Sequence, residues 1–117
     1  MNEHEMKSRT KAFALRVIRL VESLPTNRTS DVIGRQLLRA GTSVGANDRA
    51  VRRAKSTADF INKLTIVEEE SDESAYWMEL LADSGTVKPK LLAPLLKEAD
   101  EITAIIVAPA RTARRKK

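Results

Sequence analysis

The sequence predicts an all-α protein, an antiparallel up-down four-helix bundle, and three observations lead there. Apolar residues recur at three- and four-residue steps in four successive segments, which puts one stripe of each helix against a common core. Aromatics are scarce and Gly and Pro number four each, too few for a sheet-rich fold with many tight turns. The connections are short, so consecutive helices must run antiparallel. A chain of 117 residues suffices for one core without a disulfide or metal staple. Residues 1–117 are therefore expected to form one domain, with a basic tail from about 109.

In the first segment Phe13, Val17, Leu20, Val21 and Leu24 form the stripe, and the helix should end before Pro25. In the second, Ile33, Leu37, Ala40, Val44 and Val51 do so, with Asn47 at the one polar step. Ser30 with Asp31, or equally Thr29, can cap its start. Asn47 is expected as a buried polar group, bonded to backbone or to a facing Ser71 or Ser74, that fixes helix register. The third stripe is Phe60, Leu64, Val67, Ser71, Ser74, Met78 and Leu81. Ser56 is its expected N-cap with Asp59 against the helix dipole, and Gly85 closes it in the left-handed conformation. Leu92, Leu95, Leu96, Ala99, Ile102 and Ile106 mark the fourth helix. Pro89 suits its first turn. Pro94 is expected to delay or bend this helix, and Pro109 to kink or end it, leaving 111–117 as a frayed basic tail.

Composition narrows the function. With no cysteine there is no thiol nucleophile, and the one histidine, His4, is expected outside the helices. No Gly-rich phosphate loop precedes a helix. The acids of residues 68–73 fan around a helix at roughly 100° per residue, as a solvated or interfacial face does, rather than converging on Mg²⁺. No enzyme, metal or cofactor is expected, and no small-molecule substrate is evident. Lack of cysteine, of a signal-like N-terminus and of any long apolar run points to a cytoplasmic protein without a membrane span.

The net charge of +5 conceals a division. Residues 1–55 hold twelve Lys/Arg against five Asp/Glu, and residues 56–101 hold four against eleven. The last sixteen add five basic groups and no acid. Such asymmetry suits a polyanionic partner or subunits that attract one another head to tail. On the second helix Arg35, Arg39, Arg49 and Arg53 fall within an arc of about 80° opposite the apolar stripe. Arg28, Arg52 and Lys55 extend this patch at its ends. The row could track the phosphates of RNA or DNA with little sequence selectivity, pair with the acidic third helix of a neighbouring subunit, or simply be a solvated face. The stacking aromatics that usually accompany single-strand binding are missing from this helix, which counts against the nucleic-acid reading. On the third helix Ile61, Ile66, Tyr76 and Trp77 lie off the core stripe. They are the expected contact surface of a homo-oligomer, or else a rim beside the core.

Several stretches carry a family likeness. Ser43-Val-Gly-Ala-Asn47, Arg53-Ala-Lys-Ser56 leading into Ala58-Asp-Phe-Ile61, and Glu69 through Leu81 resemble the four-helix bundle proteins encoded in intervening sequences of bacterial 23S rRNA genes. Phe13, Ile18 and the spacing of the first helix extend the likeness over nearly the whole chain. The resemblance implies an up-down bundle that assembles into a ring, a pentamer. A related bundle, the accessory protein of diversity-generating retroelements, binds nucleic acid and a reverse transcriptase through a basic surface. That likeness makes Arg35, Arg39, Arg49 and Arg53 the residues to test, with a protein-only scaffold or an accessory subunit of a mobile-element system as the alternative. The chain departs from the family where an aromatic and then Arg-Glu-Ala usually follow the Asn. Here Asp48-Arg49-Ala50-Val51 stands instead.

Overall fold

The computed structural model describes residues 1–116. Lys117 and the side chains at 108, 110, 111, 113, 114 and 116 lie outside the described residues. Four helices, α1 (Glu3–Glu22), α2 (Arg28–Val51), α3 (Thr57–Asp83) and α4 (Pro89–Lys116), run alternately up and down in a rod of 46 × 23 × 20 Å. Each packs on its neighbour in sequence, and α4 closes against α1 along the sparsest seam. No helix among the described residues is long and apolar enough to cross a membrane.

Short polar side chains set the helix starts. Asn2, Asn27 and Ser56 hold extended backbone and accept the amides of Glu5, Ser30 and Asp59 at 2.8, 2.8 and 3.0 Å. Each bond satisfies an amide that the first helical turn leaves free. The Ser56 cap is as the sequence predicts, and Asp59 reaches back to the Lys55 amide at 3.0 Å. For α2 the expectation of Ser30, Asp31 or Thr29 is corrected. Asn27, two residues beyond Pro25, starts the helix a turn early, and Ser30 becomes a buried residue inside it. Gly85 closes α3 with φ +76°; its amide bonds Ala82 and the Thr86 amide bonds Leu81, both at 3.0 Å. These two bonds form a Schellman motif, and the positive φ there strains any residue with a Cβ.

Three further expectations need correction. Helix α4 starts at Pro89, passes through Pro94 and does not end at Pro109. Both prolines are exposed, so the carbonyls they deprive of a donor lie on the outer side, while Leu92, Leu95, Ala99, Ile102 and Ile106 hold the inner stripe buried. Residues 111–116 therefore continue a helix instead of fraying from it. His4 lies inside the first turn of α1, because Asn2 caps ahead of it.

The core unites Phe13, Val17, Leu37, Val44, Val67, Met78, Leu81, Leu92 and Ile102, all at most 1% exposed. Ser71 hydrogen-bonds Thr103 across α3 and α4 at 2.7 Å. Asn47 is only half-buried and donates to its own helix, to the Ser43 carbonyl at 2.8 Å. The buried polar residue is its neighbour Asp48. Between α1 and α2, glycines replace side chains at the crossing. A Cβ on Gly41 would lie 2.8 Å from both Val17 methyls, and one on Gly45 would lie 3.1 Å from the Thr10 hydroxyl. At the α1–α4 seam the half-buried Arg9 grips Glu98 with two bonds, 2.7 and 2.6 Å, and Glu101 with one of 2.8 Å.

Candidate nucleic-acid interface

The arginine row of α2 is divided by the packing around it. Arg39 turns toward α3 and bonds Glu70 at 3.1 Å and Glu73 at 2.5 Å. The guanidinium holds the Glu73 carboxyl below the usual carboxylate range, and Glu73 also accepts the Trp77 indole N–H at 3.2 Å. Arg39 thus serves as a brace between α2 and α3. Arg35 is exposed and pairs with Asp31 one turn earlier, at 3.1 Å. Arg49 and Arg53 point to the other flank of α2, toward α1, and are exposed with no carboxylate partner among the described residues.

There the two helices form an open trough of about 460 Å³. Its charged walls are Lys7 and Lys11 from α1, Arg49 from α2 and Arg53 from the turn that follows α2; Ala14, Thr42, Gly45 and Ala46 make the floor, with Thr10 at the crossing. No carboxylate lines it. Four cations facing one cleft repel one another and attract a polyanion, and Lys7 and Lys11 come from a helix to which sequence reasoning assigned no binding role. The signal was present: Lys7 and Lys11 are four residues apart in the sequence, as Arg49 and Arg53 are.

Beyond Lys7 and Arg49 the cleft continues past His4 to Arg52 and Asp48. Arg52 caps the C-terminus of α2 and is held by Asp48 at 3.2 Å and by Glu3 at 3.6 Å. Asp48 is 1% exposed, and its Oδ2 has no hydrogen-bond partner among the described residues. Burial pushes its carboxyl above the usual Asp range, Arg52 pulls it down, and Glu3 pushes it up again.

On the far side of the molecule Tyr76 is 52% exposed and meets Trp77 edge-on, with ring centroids 5.1 Å apart. Ile61, Ile66 and Trp77 are half-buried. Among the described residues no three His, Asp or Glu side chains converge where they could hold a metal ion.

Residues 2–108 match the family model described as 23S rRNA-intervening sequence protein. The fold is similar to the crystal structure of a protein with unknown function from the S23 ribosomal protein family of Bacteroides thetaiotaomicron. The two are 33% identical with a TM-score of 0.86, over 95% of this chain and 99% of that one. No curated protein matches the chain. With the four-helix order, the Asn47 and Tyr76-Trp77 segments and a match over all but the chain's ends in agreement, the protein belongs to the 23S rRNA-intervening sequence protein family.

Proposed function

We propose that the protein is a non-enzymatic, homo-oligomeric bundle that binds RNA or DNA through its basic α1/α2 side. The observation that carries this reading is the trough walled by Lys7, Lys11, Arg49 and Arg53 without a carboxylate among its lining residues. Such a site gathers affinity from phosphates and releases their counterions, with little regard for base sequence. The family's name ties it to 23S rRNA, which makes a ribosomal RNA hairpin the natural first ligand. Of the five arginines singled out from sequence, Arg49 and Arg53 are the primary contacts in this reading. Arg35 and Arg52 contribute at the margins, and Arg39 is structural.

The test is a salt titration of hairpin binding. Affinity should fall linearly on logarithmic axes as salt rises. It should weaken by about tenfold or more when Arg49 and Arg53 both become Ala, since two phosphate contacts are lost. Arg39→Ala should leave binding within about twofold while lowering stability. Absence of binding at low salt would end the proposal.

A second reading, an oligomeric protein-only scaffold, draws on the exposed Tyr76 beside Trp77 and on the exposed Val32 and Leu38. It predicts that Tyr76→Lys disperses the assembly and that Arg49→Glu changes subunit stoichiometry with no nucleic acid present. Light scattering reads both, and also tests a ring of five subunits.

A further inference from the structure

We propose that the α1/α2 trough takes the sugar-phosphate backbone of one strand of a double helix, phosphates inward and bases outward, over about two or three consecutive nucleotides. This rests on the nucleic-acid reading above and narrows it to a ligand geometry. The first ground is spacing. Thr10 lies against Gly45, so Lys11 stands at the Gly45 level of α2. Lys7 and Arg49 share the level one turn further, and Arg53 follows in the turn just past the end of α2. At a rise of about 1.5 Å per residue, the two helical levels are about 6 Å apart. That is close to the separation of successive phosphates along one strand of a duplex. The cations therefore form a ladder in register with a backbone.

The second ground is what the trough lacks. None of its lining residues is aromatic, so a base entering it finds no ring to stack on. Its two hydroxyl groups are engaged by the helices: Thr10 donates to the Met6 carbonyl at 2.9 Å and Thr42 to the Leu38 carbonyl at 2.7 Å. The lining holds no amide side chain or carboxylate, so adenine and cytosine edges find no matched partner there, and its lysines and arginines are the groups left to meet phosphates. A strand whose bases are already paired and stacked loses nothing by turning them away. An unpaired strand has exposed bases that this surface cannot cover. Small residues on the floor, Ala14, Gly45 and Ala46, leave room for the phosphates to reach between the two helices.

The experiment compares four ligands of equal phosphate number at one moderate salt concentration: two RNA hairpin duplexes of unrelated sequence, a DNA duplex and a uridine oligomer. The duplexes should bind within about threefold of one another and about tenfold or more tighter than the uridine oligomer. Ala46→Tyr supplies the missing stacking surface at an exposed position of the floor. It should raise uridine-oligomer affinity by about tenfold and shrink the preference. Ala46→Glu should weaken every ligand, locating the contact in the trough. Circular dichroism of each variant verifies the fold. If the wild type binds the uridine oligomer as tightly as the duplexes, the strand geometry is wrong while nucleic-acid binding stands. If none of the four binds at low salt, the underlying reading fails as well.

Discussion

Gly41 offers a sharp test of how α1 and α2 are held together. In an ordinary helix interior Gly→Ala gains about 1 kcal/mol, because alanine restricts the unfolded backbone and favours the helix. At Gly41 the added Cβ would sit 2.8 Å from both methyls of Val17 and 3.1 Å from its Cβ. Val17 is fully buried in mid-helix, and a β-branched residue there has essentially one rotamer, so it cannot swing aside. Restoring ordinary carbon contact requires the helices to part by about 1 Å, a gap that forfeits a quarter to half of each displaced dispersion contact. Overpacking of this kind costs about 1–3 kcal/mol. Set against the propensity gain, Gly41→Ala should destabilise by up to about 2 kcal/mol. The melting midpoint should drop by up to about 10 °C. Gly34→Ala is the control, since the Cβ of this buried glycine meets the flexible end of the half-buried Leu24 at 3.2 Å and Val21 only at 3.4 Å, an ordinary contact. That variant should be neutral or up to about 1 kcal/mol more stable. Urea unfolding followed by circular dichroism at one fixed protomer concentration measures both. Gly41→Ala matching Gly34→Ala would refute the claim that close backbone approach governs this crossing.

Three further outcomes follow from the polar contacts. The Asp48 carboxyl is raised above the ordinary 3.8, chiefly by burial, so its favourable contribution is fully present below that value and is lost as pH rises through the folded pKa. The stability of wild type relative to Asp48→Asn should therefore be most favourable near pH 4 and decline toward neutrality, where the Asn variant gains; parallel urea midpoints across this range would refute it. Glu98 is held below 4.5, first by its hydrogen bond from Arg9, so that stabilisation is present above the ordinary glutamate range and vanishes as pH falls through the lowered value. Arg9→Ala should cost about 1–2 kcal/mol at pH 7 and much less in acid, with Arg9→Lys intermediate because an ammonium cannot fork between two oxygens. Ser56→Ala should cost about 1 kcal/mol, read from the same unfolding curves, by freeing the Asp59 amide.

The four stripes were legible because burial follows a period that any helix must respect. Phe13, Leu37, Met78 and Ile102 needed no knowledge of neighbours to be placed inside. Starts and stops were less legible. Asn27 and Ser30 are both competent caps, and the choice between them depends on where the chain turns after Pro25. The prolines of α4 misled for a related reason, since a residue that breaks an isolated helix is tolerated where packing holds the inner face and water reaches the outer one. The site was half legible. A helical wheel shows that Arg39 and Arg49 lie on one outer flank, but not that Arg39 meets Glu70 and Glu73 while Arg49 meets the lysines of α1. Partners across helices are set by crossing geometry, and that is governed here by Gly41 and Gly45, whose role lies in what they omit. Asp48 was hidden for the opposite reason, because a charged residue one step beside an apolar stripe reads as surface.

The opposite charges of residues 1–55 and 56–101 have a consequence for what a coated polyanion would look like. A protomer attached through α1 and α2 turns outward a surface bearing Glu69, Asp72, Glu79, Asp100 and Glu101, all exposed. Its outer skin then has the same sign as the strand beneath, so a second strand is repelled instead of bridged. A uniformly basic protein of equal net charge would cross-link strands and precipitate them. This one would sheathe them singly and keep them dispersed.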